Sequence, residues 1–247
     1  MSDFDGTLAP IVDEPDQAVA LGGVVDALGE LTEHFPLVGV ISGRPVAYLL
    51  ERLAPAPKVT LVGLYGLERA SHARVDQLPA AGGYREKVEE AAVLAEKGRP
   101  EGAKVERKGL AVTLHIRGAP SLAGWMEATA ATVSDATGLV AYPGRQSVEL
   151  RPPVDADKGT VLTELADSYQ SVCFIGDDKG DLPAFAALAA LRGRGVTTVA
   201  VAVTSPEMPP ELAVAADVTV DGPEGVLEVL RYLASAKSPS LPANEPR

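Results

Sequence analysis

The sequence predicts an α/β fold with a Rossmann-like parallel sheet and an inserted α+β domain. Before residue 82 and after residue 152, short β-branched segments alternate with segments whose apolar residues recur at helical spacing. Such alternation is typical of a parallel sheet with helices on both faces. Between these parts, strand-like segments occur in pairs joined by short turns, which indicates an antiparallel sheet. We therefore predict a discontinuous core, residues 1–81 and 153–234, and an inserted domain, residues 82–152.

The first part of the core is predicted to contain two helices and three strands after its opening motif. A helix is expected over residues 21–35, where apolar side chains recur every three or four positions. The apolar run 38–41 is a predicted buried strand, and a second helix follows it over 45–53. Two further strands are predicted over 59–62 and 64–70.

The inserted domain is predicted to be an antiparallel sheet backed by two helices. Its predicted elements are helices 84–97 and 120–137 and strands 104–107, 110–117, 139–142 and 147–150. The core then resumes with helix 158–168, strand 171–175, helix 181–191, strand 197–203 and helix 223–234. Residues 235–247 contain three prolines among mixed polar residues, and we predict a disordered tail there.

The candidate chemistry begins in the segment D-F-D-G-T-L at residues 3–8. Asp3 ends a predicted strand and Asp5 follows in the loop, so strand alternation points both side chains to the same side. An aspartate is already ionised at neutral pH and can attack phosphorus without an activating base. A second carboxylate nearby can serve as general acid and base. The segment therefore indicates a phosphoryl-transfer site, whereas a bare D-x-D would indicate an acidic turn.

Other candidate groups lie where predicted strands end, the edge at which parallel sheets bind ligands. Ser42 follows the strand 38–41 and can donate its hydroxyl to a phosphoryl group. Lys158 begins an apolar helix, where the positive helix terminus also favours an anion. The loop 176–181 follows the strand 171–175 and contains three carboxylates, which suit a hard divalent cation.

In this order, the motifs resemble those of the haloacid dehalogenase superfamily of phosphohydrolases, and in finer detail its trehalose-6-phosphate phosphatase branch. The segments that carry the resemblance are D-F-D-G-T-L-A-P-I at 3–11, V-I-S-G-R-P at 40–45, G-L-Y-G-L-E at 63–68, H-I-R at 115–117, V-E-L-R-P at 148–152 followed by Lys158-Gly159, and G-D-D-K-G-D-L-P-A-F at 176–185. The resemblance covers the chain from residue 3 to about residue 230. The chain departs from the branch pattern at Tyr65, where that pattern leads us to expect a histidine.

The resemblance implies a two-step hydrolysis. Asp3 attacks phosphorus and forms an aspartyl-phosphate, while Asp5 protonates the leaving sugar oxygen. Asp5 then deprotonates the water that hydrolyses this intermediate. Ser42 and Lys158 are expected to hold the phosphoryl oxygens.

The resemblance also implies a magnesium ion as cofactor. Its expected ligands are the Asp3 carboxylate, the Asp5 backbone carbonyl and Asp177. Asp178 and Asp181 are expected to lie around this site and to orient metal-bound water and Lys158.

The resemblance implies that the inserted domain is a cap, which closes over the site and recognises the sugar. Arg44, Lys108, Arg117 and Glu149 are the candidate substrate-binding residues. For the three cap residues, a solvated strand face is the alternative interpretation. His115 alternates with apolar neighbours, and we interpret it as a packing residue.

The leading function is magnesium-dependent hydrolysis of trehalose 6-phosphate. The alternatives are a phosphatase for sucrose phosphate, a glycosyl phosphoglycerate or another sugar phosphate, and an inactive relative that acts as a binding or regulatory subunit. A net charge of −12 with scattered Lys and Arg argues against nucleic acid as a partner. No apolar run reaches the roughly 18 residues of a membrane span. We expect a cytoplasmic protein, monomeric or weakly homo-oligomeric.

The start of the chain leads to one further expectation. Asp3 should end the central strand of the core, and a strand usually contains about five or six residues. Only Met1 and Ser2 precede it. We hypothesise that the natural chain begins upstream with a β-branched or leucine-rich segment; the alternative is that Met1 and Ser2 suffice and neighbouring loops fill the gap.

Overall fold

A computed structural model of the chain describes residues 1–12, 15–71, 74–144, 146–205 and 208–235. The strands are β1 (Gly39–Ile41), β2 (Thr60–Gly63), β3 (Glu68–Ser71), β4 (Arg74–Gln77), β5 (Lys104–Arg107), β6 (Val112–His115), β7 (Val140–Gly144), β8 (Ser147–Arg151), β9 (Ser171–Gly176), β10 (Thr197–Thr204) and β11 (Val218–Asp221). The α-helices are α1 (Val24–Leu31), α2 (Val46–Leu53), α3 (Pro79–Gly82), α4 (Arg85–Glu96), α5 (Ala123–Thr137), α6 (Lys158–Ala166), α7 (Leu182–Gly193), α8 (Pro210–Ala215) and α9 (Gly222–Ser235). Short 3-10 helices span Pro15–Gln17, Leu64–Gly66, Pro120–Leu122 and Lys179–Asp181.

The core sheet is assembled around residues 1–3. Ser2 forms parallel bridges with Val40 of β1 on one side and with Ile175 of β9 on the other. The backbone hydrogen bonds that residues 1–3 make with these two strands are 2.9–3.1 Å long. β2 pairs with β1, and β10 and β11 follow β9, all in parallel. Residues 1–3 therefore take the central strand position of the sheet, and Asp3 lies at the carboxyl end of that position, as predicted. The hypothesis of an upstream segment stays a prediction.

Helices cover both faces of this sheet because neighbouring strand residues point to opposite sides. Val40 packs into a cluster with the buried faces of α1, α2 and α9. Ile41 packs into a second cluster, with α6, α7 and α8. The predicted α/β class is confirmed. None of the helices in the described ranges is long and apolar enough to cross a membrane.

A separate four-stranded sheet, which we call the cap sheet, consists of β5 to β8. Its strand order is β5-β6-β8-β7, and all its pairs are antiparallel. α4 and α5 pack on it through a cluster that includes Val88, Leu114 and Leu150. Gly138, with φ 73°, ends α5 in the left-handed conformation. The predicted antiparallel sheet with two helices is thus observed, while the domain boundaries at 82 and 152 stay a prediction.

The strand predicted over 64–70 is wrong in its first half. Leu64–Gly66 forms a 3-10 turn, and β3 begins only at Glu68. The apolar residues of this segment resembled a buried strand. The turn forms because the N–H groups of Leu64 and Tyr65 donate to carbonyls of the neighbouring loop at Arg44 and Ser42.

Several short elements were not predicted. They are α3, α8, β4 and β11. Each is only four to six residues long and is mostly exposed or at an edge of the sheet. Such a segment is too short to show a repeating pattern of apolar residues. The disordered tail predicted over 235–247 lies, apart from Ser235, outside the described residues.

Candidate active site

A cleft of about 440 Å³ lies between the carboxyl ends of the core strands and the cap sheet. It brings together most of the predicted site residues. Its core wall includes Asp3, Asp5, Ser42, Arg44, Tyr65, Asp177 and Asp178. Its cap wall includes Lys104, Glu106, Lys108, His115 and Arg117.

Lys158 links the nucleophile candidate to the acidic loop. Its Nζ lies 2.8 Å from Asp3 Oδ1 and 2.6 Å from Asp181 Oδ1, and its side chain is only 3% exposed. The other oxygen of Asp181 accepts the backbone N–H groups of Asp177 and Asp178 at 2.9 and 3.1 Å. Burial lowers the pKa of Lys158, but its contacts with Asp181 and Asp3 outweigh this effect and raise that pKa well above its usual range. A fixed ammonium therefore faces Asp3.

Asp177 is held by two hydroxyl donors. Thr7 Oγ1 donates to its Oδ1 at 3.1 Å, and Ser205 Oγ donates to its Oδ2 at 2.9 Å. Gly6, with φ 75°, lies so close that a Cβ there would be 2.1 Å from Asp177 Oδ2. The glycine of the opening motif is therefore required by both its conformation and its contact. Ser205 was not predicted, although its place directly after β10 is the same kind of signal that identified Ser42.

The carboxylates around Lys158 form a candidate divalent-cation site. Oxygens of Asp3, Asp177 and Asp181 lie within 4.8 Å of one another. The Asp181 oxygens are bonded to the Lys158 ammonium and to two backbone N–H groups, whereas the Asp177 oxygens accept only hydroxyl groups, so Asp3 and Asp177 suit the ligand role better. Burial raises the pKa of Asp3 well above its usual range, and burial with the neighbouring Asp181 and Asp178 raises the pKa of Asp177 to about 7. A hard cation with oxygen ligands would relieve this repulsion, so the donor set fits such an ion.

Asp5 and Arg44 form a bidentate ion pair. Arg44 Nε and Nη2 donate to the two Asp5 carboxylate oxygens, each at 2.7 Å. The guanidinium is also 4.6 Å from the centre of the Tyr48 ring. Ser42 Oγ accepts the Arg44 N–H at 3.2 Å, which leaves the Ser42 hydroxyl hydrogen available for another acceptor. The predicted substrate-binding role of Arg44 stays a prediction.

The cap wall contains a network of charged side chains. Lys108 Nζ lies 3.2 Å from Glu149 Oε1 and 3.7 Å from Glu106 Oε2. His115 Nε2 lies 2.7 Å from Glu106 Oε2, so the interpretation of His115 as a packing residue is wrong. Burial raises the pKa of Glu106, but its contacts with His115 and Lys108 outweigh this and lower that pKa to about 2. Lys104 and Glu106 point to the same side of β5, and Lys108 directly follows that strand, so the alternation of charged residues could have identified Glu106.

Other contacts join the cap to the core. Arg117 is exposed in the cleft wall, and its Nη1 donates to the Val12 carbonyl of the core at 2.9 Å. The Arg151 guanidinium contacts two aromatic rings, 4.3 Å from the centre of the Tyr65 ring and 3.6 Å from that of Tyr142. Tyr65 belongs to the core turn, whereas Arg151 and Tyr142 belong to the cap sheet.

A parallel sheet with a buried aspartate at the end of its middle strand, a lysine at a helix start and an acidic loop define a protein of the haloacid dehalogenase class. Comparison with known sequences gives the family. The family model for trehalose-phosphatase matches residues 1–223, and the chain belongs to that family.

Individual relatives agree with this family. A trehalose-phosphate phosphatase of Mycobacterium marinum is 34% identical over 247 residues, covering 96% of this chain and 61% of the relative. The chain thus spans about three-fifths of that relative's length. The solved C-terminal domain of C. albicans trehalose-6-phosphate phosphatase is 25% identical, with a TM-score of 0.75 over 94% of this chain and 90% of that domain. A solved trehalose-6-phosphate phosphatase related protein has a TM-score of 0.78 at 20% identity, covering 94% of this chain and 95% of that one.

Replacing Lys158 with methionine should destabilise the fold strongly. The substitution leaves the buried carboxylates of Asp3 and Asp181 without their cation, and we expect the free energy of unfolding to fall by about 3–5 kcal/mol. Urea denaturation at neutral pH measures this change. Lys58→Met is the matched control, because Lys58 pairs with Glu33 at 2.7 Å on the surface and should contribute little. Similar losses in the two variants would contradict the prediction.

Proposed function

We propose that this chain hydrolyses trehalose 6-phosphate to trehalose and phosphate. The observation that carries the proposal is the buried Asp3–Lys158–Asp181 arrangement, whose Asp3 lines the floor of the cleft opposite a charged cap wall. The floor suits a phosphoryl group, and the wall offers charged and polar groups that suit sugar hydroxyls. The relatives described above carry the same activity in their names.

In the proposed first step, an Asp3 oxygen forms a bond to phosphorus as the bond from phosphorus to the sugar oxygen breaks. Asp5 gives a proton to that leaving oxygen. To do so, Asp5 has to exchange at least one of its two hydrogen bonds with Arg44 for a bond to the substrate. Lys158 and the Ser42 hydroxyl are suited to holding the phosphoryl oxygens as negative charge shifts among them.

In the second step, water attacks the phosphorus of the aspartyl-phosphate. Asp5, now deprotonated, accepts a proton from that water, and Asp3 leaves as a carboxylate. The Lys158 ammonium, 2.8 Å from Asp3, stabilises this returning charge. The reaction thus restores both carboxylates to their starting forms.

Magnesium is the proposed cofactor, and Asp3, the Asp5 backbone carbonyl and Asp177 would hold it. When bound, it would supply positive charge that offsets the repulsion between the phosphoryl group and Asp3. The hydroxyls of Thr7 and Ser205 would keep the Asp177 carboxylate in place.

A phosphate-release screen tests the proposal directly. Trehalose 6-phosphate, sucrose 6-phosphate, a glycosyl phosphoglycerate and a generic aryl phosphate are compared with and without magnesium. We expect release from trehalose 6-phosphate to be fastest and to require magnesium. A different preferred sugar phosphate would overturn the substrate, and no release from any ester would overturn the enzyme.

Asp3→Asn should abolish most turnover while keeping the fold. The amide has the shape of the carboxylate but lacks its nucleophilic charge, so we expect kcat to fall by roughly three orders of magnitude or more. Steady-state phosphate release measures the loss. Asp26→Asn is the control, because Asp26 is exposed on α1 and is outside the cleft lining. Near-parental kcat in the Asp3→Asn variant would exclude covalent catalysis by Asp3.

Lys108→Ala and Glu149→Ala should reduce sugar recognition and leave phosphoryl transfer intact. Each removes one member of a buried polar pair, so kcat/KM for trehalose 6-phosphate should fall by about tenfold or more. Hydrolysis of an aryl phosphate should change by less than about twofold, because the phosphoryl-binding groups belong to the core. Equal losses on both substrates would indicate a folding defect and refute the assignment.

Magnesium should stabilise the protein more at high pH than at low pH. The pKa of Asp177 in the folded state is about 7, above its usual value of 3.8, so between these values the folded protein holds a proton that the unfolded protein has lost. The stability that this group contributes therefore falls as the pH rises from about 4 to about 7. Magnesium binds the ionised carboxylate, so its effect on Tm should be larger near pH 8 than near pH 5.5. Asp177→Asn should remove this difference, whereas an equal Tm shift at both pH values in the parent would contradict the prediction.

A further inference from the structure

Tyr65 occupies an unusual backbone position beside the phosphoryl-binding loop. Tyr65 and its neighbour Leu64 have φ values of 56° and 50°, in the left-handed region that residues other than glycine rarely adopt. The N–H groups of Leu64 and Tyr65 donate to the carbonyls of Arg44 and Ser42, each at 3.0 Å. The turn is therefore anchored to the loop that carries Ser42. Such strained positions persist where the surrounding structure fixes them, and they concentrate at functional sites.

The Tyr65 ring lies between two glycines of the cleft. A Cβ at Gly43 would lie 2.7 Å from Tyr65 Oη, and a Cβ at Gly180 would lie 3.6 Å from Tyr65 Cε1. The ring thus reaches from the loop that carries Ser42 to the acidic loop. On another side it contacts the Arg151 guanidinium. This packing places Oη next to Gly43, the residue that follows Ser42.

The Tyr65 hydroxyl is available as a hydrogen-bond donor. Within the described ranges, Tyr65 Oη makes no hydrogen bond, although it lines the cleft with Asp3 and Ser42. Burial, followed by the nearby Glu149 carboxylate, raises the pKa of Tyr65 well above its usual range, so the phenol keeps its proton at neutral pH. The carboxylates of the cleft only accept hydrogen bonds when ionised, and a phosphoryl group needs donors.

We propose that the Tyr65 hydroxyl donates a hydrogen bond to a phosphoryl oxygen of the bound ester, as a third donor beside Ser42 and Lys158. This inference rests on the proposed function of the cleft as a phosphatase site. It assigns a role to the position where the chain departs from the pattern of its family.

The test removes this hydroxyl and keeps the ring. Tyr65→Phe is compared with Tyr142→Phe, because Tyr142 contacts the same Arg151 guanidinium and is outside the cleft lining. Calorimetry with magnesium gives the Kd of inorganic phosphate and of orthovanadate for the parent and both variants. We expect Tyr65→Phe to raise both Kd values by about 10- to 100-fold, as for the loss of a hydrogen bond to a charged group. Tyr142→Phe should change them by less than about twofold.

Unchanged anion affinity in Tyr65→Phe, with a Tm close to the parent's, would overturn the inference. An increase in KM for the sugar phosphate alone, with unchanged anion affinity, would also overturn it, because the hydroxyl would then contact the sugar. A parent that binds neither anion would overturn it as well. If the parent binds both anions, Tyr65→Phe binds them more weakly and no ester is hydrolysed, the proposed function fails while this inference stands.

Discussion

The Lys158 ammonium, held between the carboxylates of Asp3 and Asp181, is the interaction on which the cleft depends. It joins the start of α6, the middle strand of the core and the acidic loop through contacts of 2.8 and 2.6 Å. These carboxylates repel one another, and burial strengthens that repulsion. The lysine offsets it and also turns Asp3 toward the cleft. The same ammonium that stabilises the acidic cluster therefore also contacts the carboxylate that we propose as the nucleophile, so fold stability and the proposed phosphoryl chemistry both depend on Lys158 Nζ.

The cleft divides its tasks between two sheets. The carboxyl ends of the parallel strands supply the groups that suit a phosphoryl ester and a cation. The cap sheet supplies Lys108, Glu106, His115 and Glu149, whose mutual contacts hold polar atoms in fixed places. A substrate with a charged end and a hydroxyl-rich end matches such a division. Family membership and this division both favour a sugar phosphate.

The placement of Ser42, Lys158 and Asp177 could be predicted from the sequence, because each lies next to the end of a clearly patterned strand or at a helix start. Only two residues precede Asp3, which was identified instead from the segment D-F-D-G-T-L. The α/β class and the antiparallel insertion could also be predicted, because the spacing of apolar residues and the short turns between strand-like segments indicate them. The turn at Tyr65 could not be predicted from the sequence, because its left-handed backbone depends on hydrogen bonds to carbonyls of a loop some twenty positions earlier. The contact between His115 and Glu106 was not predicted either. Glu106 comes from a neighbouring strand, and the pairing register is fixed only by tertiary structure.

Arg151 makes a contact between the core turn and the cap sheet that does not depend on a hydrogen bond. Its guanidinium contacts the rings of Tyr65 and Tyr142, and its Nε makes no hydrogen bond within the described residues. A cation–π contact has no single donor–acceptor direction. Its interaction energy therefore changes gradually when the cation slides a short distance over the ring. A hydrogen-bonded pair in the same place would lose its geometry after a shift of about 1 Å. This contact between the cap sheet and the core turn therefore tolerates small sliding displacements better than a hydrogen-bonded pair would.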